Sequence, residues 1–212
     1  MIPLKVTAIP QVGIATDRTL PLDGVLFHYA MRDAYGKQHV TYSGRKSDNP
    51  DVLMPIKRIN TERDDWFYAS SYAQWDCPHE ETQYWHKRFD TKQSDLVDFG
   101  KKRGNVLTEE GKFKAMRMPV NVIHARSVSW YCVADEQWMR AMVQRITHMG
   151  KKRGQGDGAI LEWIVEPIED DWSVYRDGQL MRCIPSGTNE GLFVGYRPSY
   201  WMPENQTLCH VP

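Results

Sequence analysis

Residues 135–166 show the clearest regular spacing of hydrophobic and polar positions. The first half repeats apolar residues at helical spacing, at Met139, Met142, Ile146 and Met149. This stripe predicts a helix over residues 135–149 that ends at Gly150, since glycine suits the left-handed turn after a helix. From residue 160 to residue 166, a set of Ile and Glu residues at even positions alternates with apolar residues at 161, 163 and 165, which is the two-residue period of a strand. The pattern therefore predicts a helix, a basic glycine loop and a strand, in that order.

The remaining hydrophobic segments predict one more helix and four more strands. Residues 21–35 repeat apolar positions at helical spacing, with Pro21 suited to the first turn. Runs rich in β-branched or aromatic residues predict strands at residues 2–9, 52–59, 66–75 and 120–133. Within them we expect Phe67 and Tyr72 to fill the core. Residues 37–50 are polar and rich in turn-forming residues, which predicts a loop.

Two segments lack long periodicity. Residues 77–117 are charged and rich in glycine, and we interpret them as an insertion that projects from the core as a helix or a basic hairpin. Residues 169–212 predict an irregular C-terminal extension with a turn at Asp177 and Gly178, because its prolines interrupt any helix. We expect it to pack across the body through Tyr200 and Trp201.

The order of predicted elements is β, α, β, β, insertion, β, α, β. This order favours an α+β fold, a ferredoxin-like or RRM-like antiparallel sheet backed by helices, with a basic thumb-like insertion and an irregular tail. Residues 1–212 would form a single domain. The aromatic signature of ordinary RRM platforms is missing, so the usual base-stacking sheet is not supported.

Charge is distributed unevenly along the chain. The formal net charge is zero, with 27 basic and 27 acidic residues. Residues 84–117 nevertheless hold nine Lys or Arg against five Asp or Glu, and residues 138–154 hold five against none. Two basic islands in a neutral chain favour local binding of an anion over non-specific coating.

The basic glycine loop carries the candidate chemistry. Glycines let a backbone approach a phosphate closely, and lysine and arginine add long-range attraction. The candidate RNA-binding residues of this loop are Gly150, Lys151, Lys152, Arg153, Gly154, Gly156 and Gly158. A second Lys-Lys-Arg sequence lies in the insertion, whose candidates are Trp85, Lys87, Arg88, Lys101, Lys102, Arg103, Lys112, Lys114 and Arg117. A solvated surface loop is the simpler alternative for each island.

Several other classes of site lack support in the sequence. Walker and Rossmann loops follow a strand and precede a helix, whereas this loop has the opposite order. The cysteines Cys77, Cys132, Cys183 and Cys209 have no zinc spacing and are interpreted as isolated small hydrophobes in a reducing compartment. The paired acids at 64–65 and 170–171 suggest solvated turns, so we expect neither a metal nor another cofactor. Without a signal peptide or a long apolar segment, a cytoplasmic protein is expected.

Several short motifs carry a family resemblance. The segments KFKAMRMPV and MGKKRGQGDGAILEW, the opening PLDGVLFHYA, and the tail pieces YRPSYWMPEN and CHVP resemble RAMP-superfamily CRISPR subunits of the Cas-five type, and most of all those of type IV systems. The resemblance spans nearly the whole chain, although each motif is short.

The resemblance implies a non-enzymatic cap. Such a subunit binds the 5′ handle of the crRNA and seats the backbone subunits of an effector complex that also contains a large subunit. Its glycine loop corresponds to the loop at Lys151, Lys152 and Arg153, and a thumb like residues 84–117 helps to kink the RNA. Target DNA is a further candidate partner, and a membrane is not.

Two alternatives remain open at this stage. The first is a metal-independent endoribonuclease that processes pre-crRNA with a general acid and base among His86, His124, His148, Tyr84 and Tyr131. These residues form no recognisable constellation in the sequence, and scattered histidines, such as His28 and His39, are usually structural. The second is a protein scaffold that touches RNA only incidentally.

Overall fold

The computed structural model describes residues 1–36, 52–61, 65–98 and 106–212. The fold is α+β, with mostly antiparallel sheets. In chain order its strands and helices are β1 Ile2–Pro10, β2 Ile14–Ala15, α1 Leu22–Tyr35, β3 Arg58–Asn60, β4 Trp66–Tyr68, β5 Gln74–Asp76, β6 His79–Lys87, β7 Met116–His124, β8 Ser127–Ala134, α2 Glu136–Val143, β9 Ile160–Pro167, β10 Tyr175–Arg176, β11 Gln179–Leu180, β12 Ile184–Pro185, β13 Leu192–Gly195 and β14 Gln206–His210. No helix among the described residues is long and apolar enough to cross a membrane.

The central sheet has the strand order β5-β8-β1-β9, and all of its neighbouring strands are antiparallel. One face of it is apolar because Val6 lies opposite both Trp130 and Val165 in the register. Both helices contribute to the same buried cluster, α1 through Leu22 and Leu26 and α2 through Met139. This cluster is the main core, and the strands and the helix predicted at residues 2–9, 160–166 and 21–35 are confirmed.

Three predicted strands are divided differently in the structure. Residues 120–133 were expected to form one strand, but they contain the end of β7 and most of β8, which lie in different sheets. The chain changes sheet next to Arg126, whose backbone N–H donates to the Asp76 carbonyl. Residues 66–75 hold β4 and part of β5 in separate sheets. Within residues 52–59, β3 begins only at Arg58, and Ile56 before it forms an isolated bridge with Ala134. At the break between β4 and β5, Ala69, Ser70 and Ser71 remain buried, so burial did not mark the end of the strand.

The C-terminal part is more regular than predicted. It holds a hairpin of β10 and β11, which turns at Asp177 and Gly178 as expected, and a three-stranded sheet of order β12-β14-β13. Tyr200 anchors it to α1 by donating to Asp23 across 2.7 Å. Trp201, by contrast, is 63% exposed, so it is less buried than Tyr200.

Arg182 joins the C-terminal sheet to the body from a fully buried position. Its guanidinium forms an ion pair with Asp23 at 3.5 Å and donates to backbone carbonyls on three segments, those of Tyr68, Ser70, Cys183 and Tyr196. Burial raises the pKa of the Asp23 carboxyl, and the charge of Arg182 opposes that shift. One buried cation therefore connects three chain segments through their backbone carbonyls.

Three of the four cysteines are buried and Cys77 is exposed. The prediction that the cysteines are isolated is wrong for Cys183 and Cys209. These two meet in a second small core with Phe67 and Tyr196. The Tyr72 hydroxyl donates to the Cys183 sulfur across 2.6 Å. A hydrogen bond from Cys209 is the main reason that the pKa of Cys183 falls to about 7. Phe67 and Tyr72 thus have the core positions expected of them.

Candidate nucleic-acid interface

The basic glycine loop projects from a pair of extended segments and does not follow a helix directly. Helix α2 ends at Val143, so the predicted helix over residues 135–149 is too long and Gly150 does not end it. The backbone of Met149 instead donates to the Gly158 carbonyl, and Ile160 donates to the carbonyl of Thr147. Ile146 and Met149 are buried as the pattern required, but from a non-helical segment. Because this segment pairs with the start of β9, the loop of residues 150–158 is held at both ends.

The glycines of this loop have two different roles. Gly150, Gly156 and Gly158 have positive φ angles, which side chains rarely adopt. Gly150 and Gly158 also face backbone closely, since an added Cβ would lie 2.8 Å from the Ala15 carbonyl oxygen and 1.8 Å from that of Met149, respectively. Around Gly154 and Gly156 a Cβ would meet nothing within 4 Å. The first pair fixes the loop to the body, and the second leaves its tip open to a ligand.

We expect Gly158→Ala to lower the free energy of unfolding by at least about 2 kcal/mol, because it combines a left-handed backbone with a clash against a backbone oxygen. Gly154→Ala is the matched control, since its φ is not positive and its surroundings are open. It should change stability by less than about 0.5 kcal/mol. Urea unfolding of both variants measures this, and equal stability would contradict the assigned role of Gly158.

The three cations of the loop point to three different elements. Lys151 pairs with Asp17 just after β2 at 3.2 Å. Lys152 places its ammonium 3.6 Å from the centre of the Trp85 ring on β6. The Nη2 of Arg153 lies 3.0 Å from the Nε2 of His28 on α1. Lys152 does this from a left-handed conformation, with φ of 58°. The loop therefore connects the body, helix α1 and the insertion.

The insertion is a long antiparallel hairpin of β6 and β7, whose pairing runs from His79 opposite His124 to Lys87 opposite Met116. This selects the basic hairpin from the two forms considered for residues 77–117. Short 3-10 turns follow at Thr91–Leu96 and Gly111–Phe113, where the rings of Phe89 and Phe113 contact edge to face. We call the hairpin and these turns the arm. Lys101, Lys102 and Arg103 lie outside the described residues.

The two faces of the arm carry different residues. Trp85 alternates with Tyr84 and His86 along β6, so it lies on the opposite face from them. On the Tyr84 face, Arg117 stacks 4.0 Å from the centre of the tyrosine ring. Lys87 donates to the carbonyl of Lys112 near the tip. Among the described candidates on the arm, Trp85 contacts the loop through Lys152, and Arg117 lies on the opposite face of the hairpin. Arg88, Lys112 and Lys114 lie beyond the paired part of the hairpin.

We expect Trp85 and Lys152 to be energetically coupled. A double-mutant cycle with Trp85→Ala and Lys152→Ala should give a coupling of about 0.5–1 kcal/mol, the usual value of an exposed cation–π pair. Tyr84→Ala in place of Trp85→Ala is the control, since Tyr84 lies on the opposite face and should not couple to Lys152. The free energy of unfolding measures both cycles, and equal couplings would mean that the contact does not join loop and arm.

Sequence reasoning missed His28 and Arg32, and it treated His28 as a solvated or satisfied residue. They are four residues apart on α1 and therefore share one face, which was the available signal. Burial, then the nearby charges of Arg153 and Arg32, lower the pKa of His28 to about 4. A neutral imidazole at pH 7 is consistent with its Nε2 accepting a hydrogen bond from Arg153.

The histidines considered for ribonuclease chemistry lie on different segments, although Tyr84 and His86 share one face of β6. His124 bonds to Glu81 at 3.1 Å at the base of the arm, near His79. His86 is farther along β6, and Tyr131 packs against Trp172 below the central sheet at 5.0 Å between ring centres. Among the residues the structure describes, no group of His, Cys, Asp or Glu is arranged to hold a metal ion.

The family model described as CRISPR type IV associated protein Csf3 matches residues 2–212 of this chain. The match covers both the glycine loop and the arm. No curated protein matches the chain.

Proposed function

Because the chain belongs to the family of the CRISPR type IV associated protein Csf3, a RAMP-like subunit of the Cas-five type, we propose that it binds the 5′ handle of the crRNA. In this proposal the subunit caps the backbone filament of a type IV effector complex and contacts its backbone and large subunits. It thereby supports interference with viruses and plasmids. Target DNA is a secondary candidate ligand of the same surface.

The observation that carries the proposal is the meeting of the loop and the arm at Lys152 and Trp85, 3.6 Å apart. A basic loop with an open tip attracts the backbone of a single strand, and an aromatic ring beside it offers a face to a base. Base stacking on an aromatic side chain is worth about 1–3 kcal/mol and does not depend on the base. Phosphate binding and stacking at adjacent points favour a strand with unpaired bases.

The surface of the central sheet is a less favourable RNA platform. Tyr131 on β8 is buried under Trp172 and Arg176 of the C-terminal part, which therefore covers part of the face opposite the helices. The order β1-α1-β5-β8-α2-β9 supports a ferredoxin-like arrangement of this sheet as part of the proposal. We therefore place the RNA along the loop and the arm.

We propose further that the subunit does not cleave RNA. The support is the separation of His86 and His124, since a general acid and base must both reach one 2′-hydroxyl and its leaving group. His124 already bonds to Glu81, and His86 lies at the other end of the hairpin pairing. We then expect repeat RNA to stay uncleaved both with the unmodified protein and with the His124→Ala variant.

The experiment that tests the proposal compares two RNAs of equal length, the repeat-derived 5′ handle and a scrambled sequence. Binding is measured at fixed salt without metal, and products from the same samples are separated on a denaturing gel. Preferential binding without cleavage is the expected result. Defined cleavage would favour the processing nuclease instead. Equal, weak binding of both RNAs would favour the scaffold, whose contacts with partner proteins should survive nuclease treatment.

A further inference from the structure

The glycine loop and helix α1 together form a cluster of cationic groups that the sequence did not reveal. Arg153 contributes one guanidinium, whose Nη2 lies 3.0 Å from His28 Nε2. Arg32 contributes another from α1, four residues after His28. Arg32 also lies over the Tyr29 ring at 5.7 Å. Tyr29 in turn meets the edge of His28 and donates to the carbonyl of His148. These contacts hold helix α1 against the glycine loop around His28.

The cluster differs from the other cations of the loop in its lack of acid partners. Lys151 is paired with Asp17, whereas no carboxylate among the described residues pairs with Arg153 or Arg32. The charged groups that act on His28 are Arg153 from the loop and Arg32 from its own helix. Both are positive, so the cluster is suited to an anion.

We propose that Arg153, His28 and Arg32 together bind one phosphate of the RNA strand, and that His28 takes up a proton when this phosphate binds. The inference rests on the proposed function, and it assigns a specific subsite to it. A phosphate oxygen between Arg153 and His28 accepts a hydrogen bond from each, which requires the proton on His28 Nε2. Burial and then the repulsion by the two arginines keep the free imidazole neutral, and the bound anion offsets the repulsion.

Proton uptake makes binding depend on pH in a defined direction. The pKa of free His28 is about 4, and a bound phosphate raises it toward the ordinary value of about 6.5. The affinity for the RNA therefore rises as the pH falls through the pKa of His28 in the complex. It stops rising near the pKa of His28 in the free protein. Between pH 7.5 and pH 5.5 we expect about a tenfold tighter complex, which corresponds to one proton and a bound pKa near 6.5.

The first test measures the dissociation constant of the handle RNA from pH 5.5 to pH 8 at constant ionic strength. The RNA carries a 5′-hydroxyl, so that no phosphate monoester titrates in this range. His28→Gln keeps a polar side chain without a titrating group and should abolish most of the tenfold change. His210→Gln, on the exposed part of β14, is the matched control and should keep the full pH dependence. A wild-type pH dependence retained in His28→Gln would overturn the inference.

The second test uses inorganic phosphate and needs no RNA. The imidazole of His28 is titrated by NMR in chloride and in phosphate buffers of equal ionic strength. We expect its pKa to be higher in phosphate, and Arg32→Gln with Arg153→Gln should remove the difference. An unchanged pKa of His28 in phosphate overturns the subsite. A raised pKa together with no preference for the handle RNA would keep the phosphate subsite and overturn the proposed function.

Discussion

Replacing Arg182 with methionine is expected to lower the free energy of unfolding by about 3–5 kcal/mol, the usual cost of removing one partner from a buried charge network. Methionine fills much of the volume, so the loss reflects hydrogen bonds more than packing. The substitution leaves Asp23 buried without its cation and leaves the carbonyls of Tyr68, Ser70 and Tyr196 without this donor.

The matched control for this prediction is Arg145→Met, two residues after the end of α2. Arg145 makes a bidentate pair with Asp33 at 2.7 and 2.8 Å, but its side chain is 61% exposed. An exposed pair contributes about 0–1 kcal/mol, so urea unfolding should separate the two variants clearly. Similar losses in both would mean that Arg182 does not hold the C-terminal sheet to the body.

The pH dependence of Arg182→Met provides an independent check. In the variant, burial still raises the pKa of Asp23 in the folded state, and no guanidinium opposes it. A group with a raised folded pKa contributes less to stability as the pH rises through that value. We therefore expect the deficit relative to wild type to be larger at pH 8 than at pH 5. Adding Asp23→Asn to Arg182→Met should remove this pH dependence.

Replacing Lys151, Lys152 and Arg153 together with alanine is expected to weaken binding of the handle RNA by about two orders of magnitude at 0.1 M salt. Each lost phosphate contact on a single strand lowers the log–log salt slope by about 0.7, so the slope should fall by about 2. The pairing of Lys151 with Asp17 makes its share the smallest of the three. Binding isotherms at four salt concentrations measure both the affinity and the slope.

A charge-matched variant controls for the change in net charge. Lys57, Arg126 and Arg140 are exposed residues outside the loop and the arm, and their replacement by alanine removes the same three charges. This control should keep most of the affinity and most of the salt slope. If both triple variants lose the same affinity, attraction by total charge would explain binding and the loop would have no specific role.

The sequence predicted the elements whose burial pattern is regular. Strand β9 and helix α1 were recognised because one face of each packs into the main core, which imposes a period on the residues. The arm was located by its charge, with a hairpin as one of two forms considered, but β6 was not assigned as a strand, since most of its side chains are exposed on both faces. A strand without a buried face shows no alternation, so its pairing with β7 was invisible.

The same limit applies to the end of α2. Ile146 and Met149 continue the helical spacing of Met139 and Met142, and all four are buried. The spacing reports burial on one side, and an extended segment packed against the core satisfies it as well. The hydrogen bonds from Met149 to Gly158 and from Ile160 to Thr147 decided the conformation, and their partners come from after the loop.

By itself, the sequence determined the α+β class, the basic glycine loop and the glycines that the loop requires, because propensity, periodicity and charge are local properties. Only the tertiary structure decided what the loop's cations meet. Asp17, His28 and Trp85 lie far from residues 151–153 in the chain, and they reach the loop through sheet pairing and helix packing. Contacts between distant segments depend on how all of the elements pack together, so no local pattern encodes them.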